Sequence, residues 1–172
     1  KVKGSFVSNI KWLRKFNKEE NHLCLGVSGR LFKNVKNLES PDWLKKKLRL
    51  IGLRPISALV DITNFVTYDL GRPLHVYDAD KLNGNLVMRK AQINEKCKTL
   101  DEKEYSLSDD MIVISDDKTL HGIGGLMGGL ASACSLETKN VFLEVALFDP
   151  ISVTKTGRKL NLQSDARYRF ER

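Results

Sequence analysis

Apolar residues recur at helical spacing in the segment that follows residue 40. Leu44, Leu48 and Ile51 occupy positions i, i+4 and i+7, which places them on one face of an α-helix. Ser40 is a favourable N-cap residue, and Gly52 is favourable just beyond a last helical turn. The pattern therefore predicts a helix between these two residues, with charged residues on its outer face.

A second helix is predicted from Pro55 to just before Gly71, because proline suits a first turn and glycine ends a helix. A last helix is predicted to begin at Asp149 and to run to about Leu160. The residues expected on one side of the second helix are Ile56, Leu59, Val60 and Thr63.

Beyond residue 85 apolar and polar positions alternate, and this period of two predicts β-strands. Helices followed by hairpin-connected strands and a final helix indicate an α+β fold, a mixed, largely antiparallel sheet with flanking helices in a single compact domain. Residues 1–39 show no clean period, although 23–27 are compatible with a strand. The predicted strands are 86–91, 97–100, 104–107, 111–115 and 140–147.

The composition is that of an ordinary globular domain, with 172 residues of which 41% are hydrophobic and 29% charged. No apolar run approaches the ~20 residues of a membrane helix, and no signal peptide is visible, so we expect a cytoplasmic protein without a membrane partner. Cys24, Cys97 and Cys134 match neither a disulfide framework nor a metal motif. The three histidines are equally scattered, and no metal is expected.

Positive charge is concentrated in the first third of the chain. Residues 1–60 contain 14 Lys and Arg against 4 Asp and Glu, a net charge of +10, whereas residues 61–172 carry −2. This asymmetry indicates a polyanionic partner, and nucleic acid bound through its phosphates is the most direct one. A solvated lysine face is the alternative, because charge alone does not separate the two. The candidate phosphate contacts are Lys45, Lys46, Lys47 and Arg49.

Glu144 interrupts an otherwise apolar run, and in a strand it would share one face with Phe142 and Ala146. Burying an unpaired charge is costly, so a buried Glu144 would need a cation, hydrogen-bond donors or a role in a site. The alternative is that this face of the strand is open to water.

The segment from His121 to Gly129 contains five of the chain's twelve glycines. Glycine lets backbone amides approach a ligand closely, but the spacing is not GxGxxG and no GK[ST] follows. Phosphate binding, and with it a nucleotide-binding enzyme, is therefore disfavoured. A tight turn between strands explains only some of these glycines.

His75 follows the stop of the second predicted helix, where a turning chain can aim a side chain into a cleft. With an ordinary pKa near ~6.5, its imidazole is a candidate base or water-positioning group. A surface histidine, or a core histidine with satisfied hydrogen bonds, is the alternative.

Eight short motifs follow one another along the chain. They are SPDWL (40–44), GLRPI (52–56), VDITN (60–64), GRPLH (71–75), GLMGG (125–129), LEVA (143–146), FDP (148–150) and SDARYRFER (164–172). Together they closely resemble the editing domain of the β subunit of bacterial phenylalanyl-tRNA synthetase. The resemblance covers residues 25–172, and residues 1–24 are expected to join the preceding part of the β subunit.

In that family the domain hydrolyses tyrosine wrongly esterified to the phenylalanine tRNA. The resemblance implies that His75 and Asn64 are the catalytic residues near the ester and its water. It implies that Glu144 reads the tyrosine hydroxyl. The remaining substrate-site residues that it implies are Arg54, Thr63, Gly128, Ser164 and Ala166.

Such a site would invert the selectivity of a synthetic site. A tyrosine hydroxyl would bond the carboxylate, whereas phenylalanine would leave it unpaired, a difference of about 1 to 3 kcal/mol. Because an aminoacyl ester is already activated, a positioned water would suffice without a metal or a covalent intermediate. Backbone amides of the glycine-rich segment are expected to stabilise the oxyanion.

The partners implied by the resemblance are the acceptor end of tRNA(Phe) and the α subunit, in an oligomer of α and β subunits, with no DNA. No cofactor is expected for this chain, because ATP and Mg²⁺ would serve the full synthetase. The chain begins without methionine and ends in a charged stretch, so we expect it to be a piece of a longer protein. A catalytically inert RNA-binding or scaffolding module is the alternative function.

Overall fold

The computed structural model describes residues 7–172, and the first six residues of the expected N-terminal segment lie outside the described residues. Within the described range, no helix is both long and apolar enough to cross a bilayer. The helices are α1 (Asp42–Leu50), α2 (Ala58–Leu70), α3 (Pro150–Lys159) and α4 (Asp165–Phe170).

Ten strands alternate with these helices and with three short 3₁₀ turns in the described part of the chain. They are β1 (Trp12–Lys15), β2 (Cys24–Phe32), β3 (Leu74–Asp78), β4 (Leu86–Lys90), β5 (Lys96–Lys98), β6 (Glu104–Ser106), β7 (Ile112–Ser115), β8 (Leu120–Ile123), β9 (Met127–Gly128) and β10 (Val141–Phe148).

The strands form a five-stranded sheet in the order β1-β4-β7-β8-β9, a three-stranded sheet in the order β2-β10-β3, and the hairpin β5-β6. Within the described residues every strand pairing is antiparallel except that of β1 with β4. The predicted α+β class with largely antiparallel pairing is confirmed. The strands are divided among separate sheets, which the alternation of apolar residues could not show.

The two larger sheets share one hydrophobic core. Met88 of β4 and Val113 of β7 are fully buried. Trp12 of β1 reaches the other sheet, with its ring centroid 6.4 Å from that of Tyr77 and 6.3 Å from that of Phe142. The absence of a side chain at Gly29 of β2 makes this contact possible, since a Cβ there would lie 2.6 Å from the Trp12 Nε1.

The first helix differs from its prediction at both ends. Ser40 is not the N-cap, because its Oγ donates to the Asp61 carboxylate at 2.5 Å, and Pro41 takes that position. Leu44 and Leu48 are buried as predicted, whereas Ile51 lies beyond the last turn and is 47% exposed.

The second helix begins at Ala58 and not at Pro55. The Asp61 carboxylate also accepts the amide of Ile56 at 2.8 Å, which holds the preceding residues in a loop. The predicted end is correct, since Gly71 caps the helix in the left-handed region with φ +67°. The predicted start of α3 is confirmed by the Asp149 carboxylate, which accepts the Ser152 amide at 2.7 Å.

Candidate functional site

The antiparallel register of β3 and β10 sets the geometry of the site. Glu144 lies directly opposite His75, and Phe142 lies opposite Tyr77. Because side chains alternate between the faces of a strand, all four belong to the same face of the three-stranded sheet. Glu144 and Tyr77 are therefore diagonal neighbours, within reach of a long side chain.

This face of β10 is buried. Glu144 is only 6% exposed, and its face-sharing neighbours Phe142 and Ala146 are buried with it, whereas Leu147 on the opposite face is 41% exposed. The alternative of a face open to water is therefore wrong. The sheet covers the carboxylate instead of presenting it to solvent.

A tyrosine supplies the hydrogen bond that a buried carboxylate needs. The Tyr77 hydroxyl donates to the Oε2 of Glu144, and among the described residues Glu144 has no ion pair with a cation. Burial raises the pKa of Glu144 from 4.5 to about 7, although the hydrogen bond from Tyr77 opposes the rise. The pKa of Tyr77 is raised well above its usual 10, mainly by burial and secondarily by the negative charge of Glu144. The Tyr77 hydroxyl therefore stays protonated.

The end of α2 positions His75. After the Gly71 cap the chain turns into β3, and the amide of Leu74 donates to the Thr67 Oγ1 of the helix at 3.1 Å. The His75 ring then packs edge-on against Tyr77, with 4.4 Å between centroids. Burial, together with the charge of nearby His121, lowers the pKa of His75 from 6.5 to about 4. Its imidazole is therefore neutral at pH 7, and a titration near 6.5 is not expected.

The glycine-rich segment forms the β8–β9 hairpin against these side chains. A Cβ on Gly128 would overlap the His75 ring, and its nearest approach to Nε2 would be 2.9 Å. A Cβ on Gly129 would lie 2.7 Å from the His121 carbonyl carbon. Gly125 turns the hairpin with φ +74°. Close approach of the backbone to two histidines thus explains the pair Gly128 and Gly129.

Most amides of this segment are already used. Those of Gly124, Leu126 and Gly129 donate to the carbonyls of Ile112, Ile123 and His121 at 2.7 to 3.0 Å. The expectation that backbone amides of this segment stabilise an oxyanion is therefore wrong for these three positions. Their N–H groups already donate to backbone carbonyls in the strand pairing and the hairpin turn.

His121 forms the inner wall of the site. It is fully buried, and its Nε2 lies 2.7 Å from the Asp116 Oδ2. Burial alone would raise the pKa of Asp116, but the amides of Asn83, Lys118 and Thr119 and the His121 side chain lower it to about 2. Asp116 is therefore an anion that lies against the imidazole of His121.

A cavity of about 80 Å³ opens between these elements. Its walls bring together four of the predicted site residues: His75, Gly128, Glu144 and Ala166. Further walls are contributed by Pro73, Leu74, Tyr77, Ile114, His121, Gly122, Ile123, Gly125, Leu126, Met127, Phe148 and Phe170.

The other predicted site residues do not line this cavity. Ser164 caps α4 by accepting the Arg167 amide, and its Oγ donates to the Leu126 carbonyl at 2.6 Å, which ties α4 to the hairpin. Thr63 donates to the Val60 carbonyl at 2.8 Å within α2. Asn64 is half-buried on the same helix, and Arg54 is exposed in the loop before it.

The basic residues of α1 differ in their surroundings. Lys45 bonds the carboxylates of Glu39 and Asp42 at 2.8 and 2.9 Å. The ammonium of Lys47 lies 5.3 Å from the centroid of the Phe65 ring. Lys46 and Arg49 are exposed on this helix.

Among the residues of the cavity that were not predicted as site residues, Tyr77 and His121 carry titratable side chains. Tyr77 stands two positions after His75, so strand alternation would have placed both on one face had β3 been predicted. Nothing in the sequence indicates that Asp116 and His121 meet across the β7–β8 turn. In residues 7–172 no group of three or more His, Cys, Asp or Glu side chains is arranged to hold a metal ion.

Comparison with known proteins assigns the chain to a family. The family model of the B3/4 domain matches residues 23–172. The chain is 56% identical over 149 residues to the phenylalanine–tRNA ligase β subunit of Ruegeria pomeroyi, covering 87% of this chain and 19% of that protein. It is 50% identical over 171 residues to the β subunit of Bradyrhizobium diazoefficiens, covering 99% of this chain and 21% of that protein.

A solved structure has the same fold. It is an N-terminal fragment of the phenylalanyl-tRNA synthetase β subunit from Pyrococcus horikoshii, with a TM-score of 0.57 and 14% identity over 87% of this chain and 49% of that one. The chain spans about a fifth of the length of the curated relatives it matches. On these matches, the chain belongs to the B3/4 domain family and corresponds to a part of phenylalanine–tRNA ligase β subunits.

Proposed function

We propose that this domain edits tRNA(Phe) by hydrolysing the ester of wrongly attached tyrosine. The observation that carries the proposal is the buried Glu144 carboxylate in the same cavity as a neutral histidine, His75. Glu144 accepts a hydrogen bond from the Tyr77 hydroxyl and pairs with no cation in the described residues. Such a carboxylate is suited to accept a second hydrogen bond from the hydroxyl of a ligand.

Selectivity follows from the chemistry of the buried acceptor. A tyrosine hydroxyl would donate to Glu144, whereas a phenylalanine ring would remove water from the carboxylate without replacing the hydrogen bond. Leaving one acceptor of a charged buried group without a donor costs about 1 to 3 kcal/mol, which corresponds to about fivefold to 150-fold discrimination. The apolar walls, including Phe148 and Phe170, suit an aromatic ring.

Hydrolysis requires only a positioned water, because an aminoacyl ester is already activated. His75 would accept a hydrogen bond from that water through an unprotonated ring nitrogen. Its pKa of about 4 makes it a weak base, which favours orientation of the water over full proton abstraction. We assign no covalent intermediate to the reaction.

The tRNA acceptor end would approach the cavity, with Asn64, Thr63 and Arg54 supporting it from α2 and the preceding loop. The basic residues of α1 would contact phosphates. The domain would work in the cytoplasm within a synthetase of α and β subunits, and ATP and Mg²⁺ would serve the rest of that enzyme.

The test is deacylation of Tyr-tRNA(Phe) and Phe-tRNA(Phe) by the full synthetase. We expect the wild type to release tyrosine much faster than phenylalanine. Glu144→Ala should lower the ratio of the two rates by about tenfold or more, because the charged acceptor is lost. His75→Ala should lower tyrosine release by about 10²-fold while leaving inhibition by free tyrosine in place.

The inert-module alternative has a distinct result. Binding of tRNA without release of tyrosine by the wild type would exclude the hydrolase and favour a scaffold. Trapping of a tyrosyl adduct on the protein would overturn the water mechanism.

A further inference from the structure

Tyr77 occupies a position in the cavity that the proposed reaction leaves without a role. It is 1% exposed, and three aromatic rings hold its own ring from different sides: His75 at 4.4 Å, Trp12 at 6.4 Å and His121 at 6.3 Å between centroids. A ring enclosed in this way cannot swing its hydroxyl elsewhere. The hydroxyl is therefore fixed on the Oε2 of Glu144.

We propose that Tyr77 is a positioning residue for substrate selectivity, whose hydroxyl fixes Oε2 of Glu144 so that Oε1 faces an incoming phenol. This inference rests on the proposed function and adds a residue to it. The phenol of Tyr77 would orient the Glu144 carboxylate, and that carboxylate would accept a hydrogen bond from the phenol of the substrate tyrosine. An ionised carboxylate accepts on both oxygens, so the two hydroxyls do not compete for one site.

The hydrogen bond from Tyr77 also affects the charge of the acceptor. Charge-assisted bonds stabilise the ionised form, so losing this donor would raise the pKa of Glu144 above about 7. The titratable groups that face Glu144 are His75 and Tyr77 on β3, His121 on β8 and Cys24 on β2. His75 is neutral in this range and Tyr77 stays protonated.

The test uses Tyr77→Phe in the full synthetase, because this change removes the hydroxyl and keeps the packed ring. Free L-tyrosine and L-phenylalanine serve as competitive inhibitors of deacylation from about pH 5.5 to about 8.5. We expect the inhibition constant of tyrosine to rise about tenfold relative to that of phenylalanine at neutral pH. The acid limb of tyrosine selectivity should move to higher pH.

Two controls separate this role from general damage. Tyr105→Phe removes another tyrosine–carboxylate bond, of 2.9 Å to Asp101 outside the cavity, and should leave selectivity as in the wild type. In a Glu144→Ala background, Tyr77→Phe should have no further effect on selectivity, because its target is gone.

Failure of the Tyr77 role and failure of the proposed hydrolysis give different results in this assay. If the wild type deacylates Tyr-tRNA and Tyr77→Phe keeps the same selectivity and pH profile, the role of Tyr77 is overturned. Tighter tyrosine inhibition in Tyr77→Phe would also overturn it, by showing that Tyr77 blocks the carboxylate. If the wild type lacks deacylation altogether, the proposed function itself fails.

Discussion

Replacing Glu144 with glutamine should stabilise the domain at alkaline pH more than at acidic pH. The pKa of Glu144 is raised from 4.5 to about 7 by burial, so the folded state binds its proton more tightly than the unfolded state. Below about pH 4.5 both states are protonated and the group adds no pH dependence. Between the two values stability falls as pH rises, because only the unfolded state has released its proton. Above about 7 the full penalty is present.

The size of the penalty follows from the shift. A difference of one pKa unit corresponds to about 1.4 kcal/mol, so the rise from 4.5 to about 7 corresponds to about 3 kcal/mol of lost stability. Glu144→Gln keeps the shape of the side chain and removes the charge. The stability of the variant relative to the wild type should therefore increase by about 3 kcal/mol between about pH 4.5 and about pH 8.

Urea unfolding of both forms of the 172-residue chain at several pH values measures this difference. Comparing the two forms at each pH cancels the titrations that they share. Glu137→Gln, at an exposed glutamate, supplies the baseline for a surface replacement. A relative stability that is constant across this pH range would refute the burial argument for Glu144.

Two further predictions concern the cavity and the basic helix. Gly128→Ala should displace the His75 ring and lower tyrosine release by about 10²-fold, whereas Gly26→Ala, with nothing within 4 Å of the added Cβ, should have no such effect in the same deacylation assay. Replacing both Lys46 and Arg49 with glutamine should flatten the log–log salt dependence of tRNA binding by about 0.7 to 0.9 for each lost phosphate contact. Lys45→Gln should change the slope of the salt dependence less, because that ammonium already bonds two carboxylates. A change in slope per replaced residue that is the same for Lys45 as for Lys46 and Arg49 would contradict this distinction.

Features set by neighbouring residues were predictable from the sequence. The β10 run, the buried face of α1 and the Asp149 cap of α3 each depend on local spacing, and each lies close to its expected position. The burial of Glu144 followed only as one of two alternatives. Local pattern shows that a strand has two faces, but the packing of the sheets decides which of them is covered.

Features that depend on tertiary contacts were not predictable. The local sequence predicts Ser40 as the cap of α1. Its hydroxyl donates instead to Asp61, which lies 21 positions further along the chain and comes within reach only because the two helices pack together. β3 is a strand of five residues that includes a histidine, and its pairing partner β10 is distant in sequence. The proposed role of Tyr77 was not predictable from the sequence, because it depends on the register of β3 against β10, which places Tyr77 beside Glu144.

Burial acts in opposite directions on the two groups proposed to handle the substrate. It lowers the pKa of His75 to about 4 and raises that of Glu144 to about 7, because in each case it disfavours the charged form. The histidine is then neutral across the whole neutral range, so its state does not change with pH there. The glutamate titrates within that range. It follows that loss of editing on acidification would arise from weaker recognition of the tyrosine hydroxyl and not from protonation of the group beside the water. Selectivity for tyrosine over phenylalanine should therefore decline with falling pH before hydrolysis itself does.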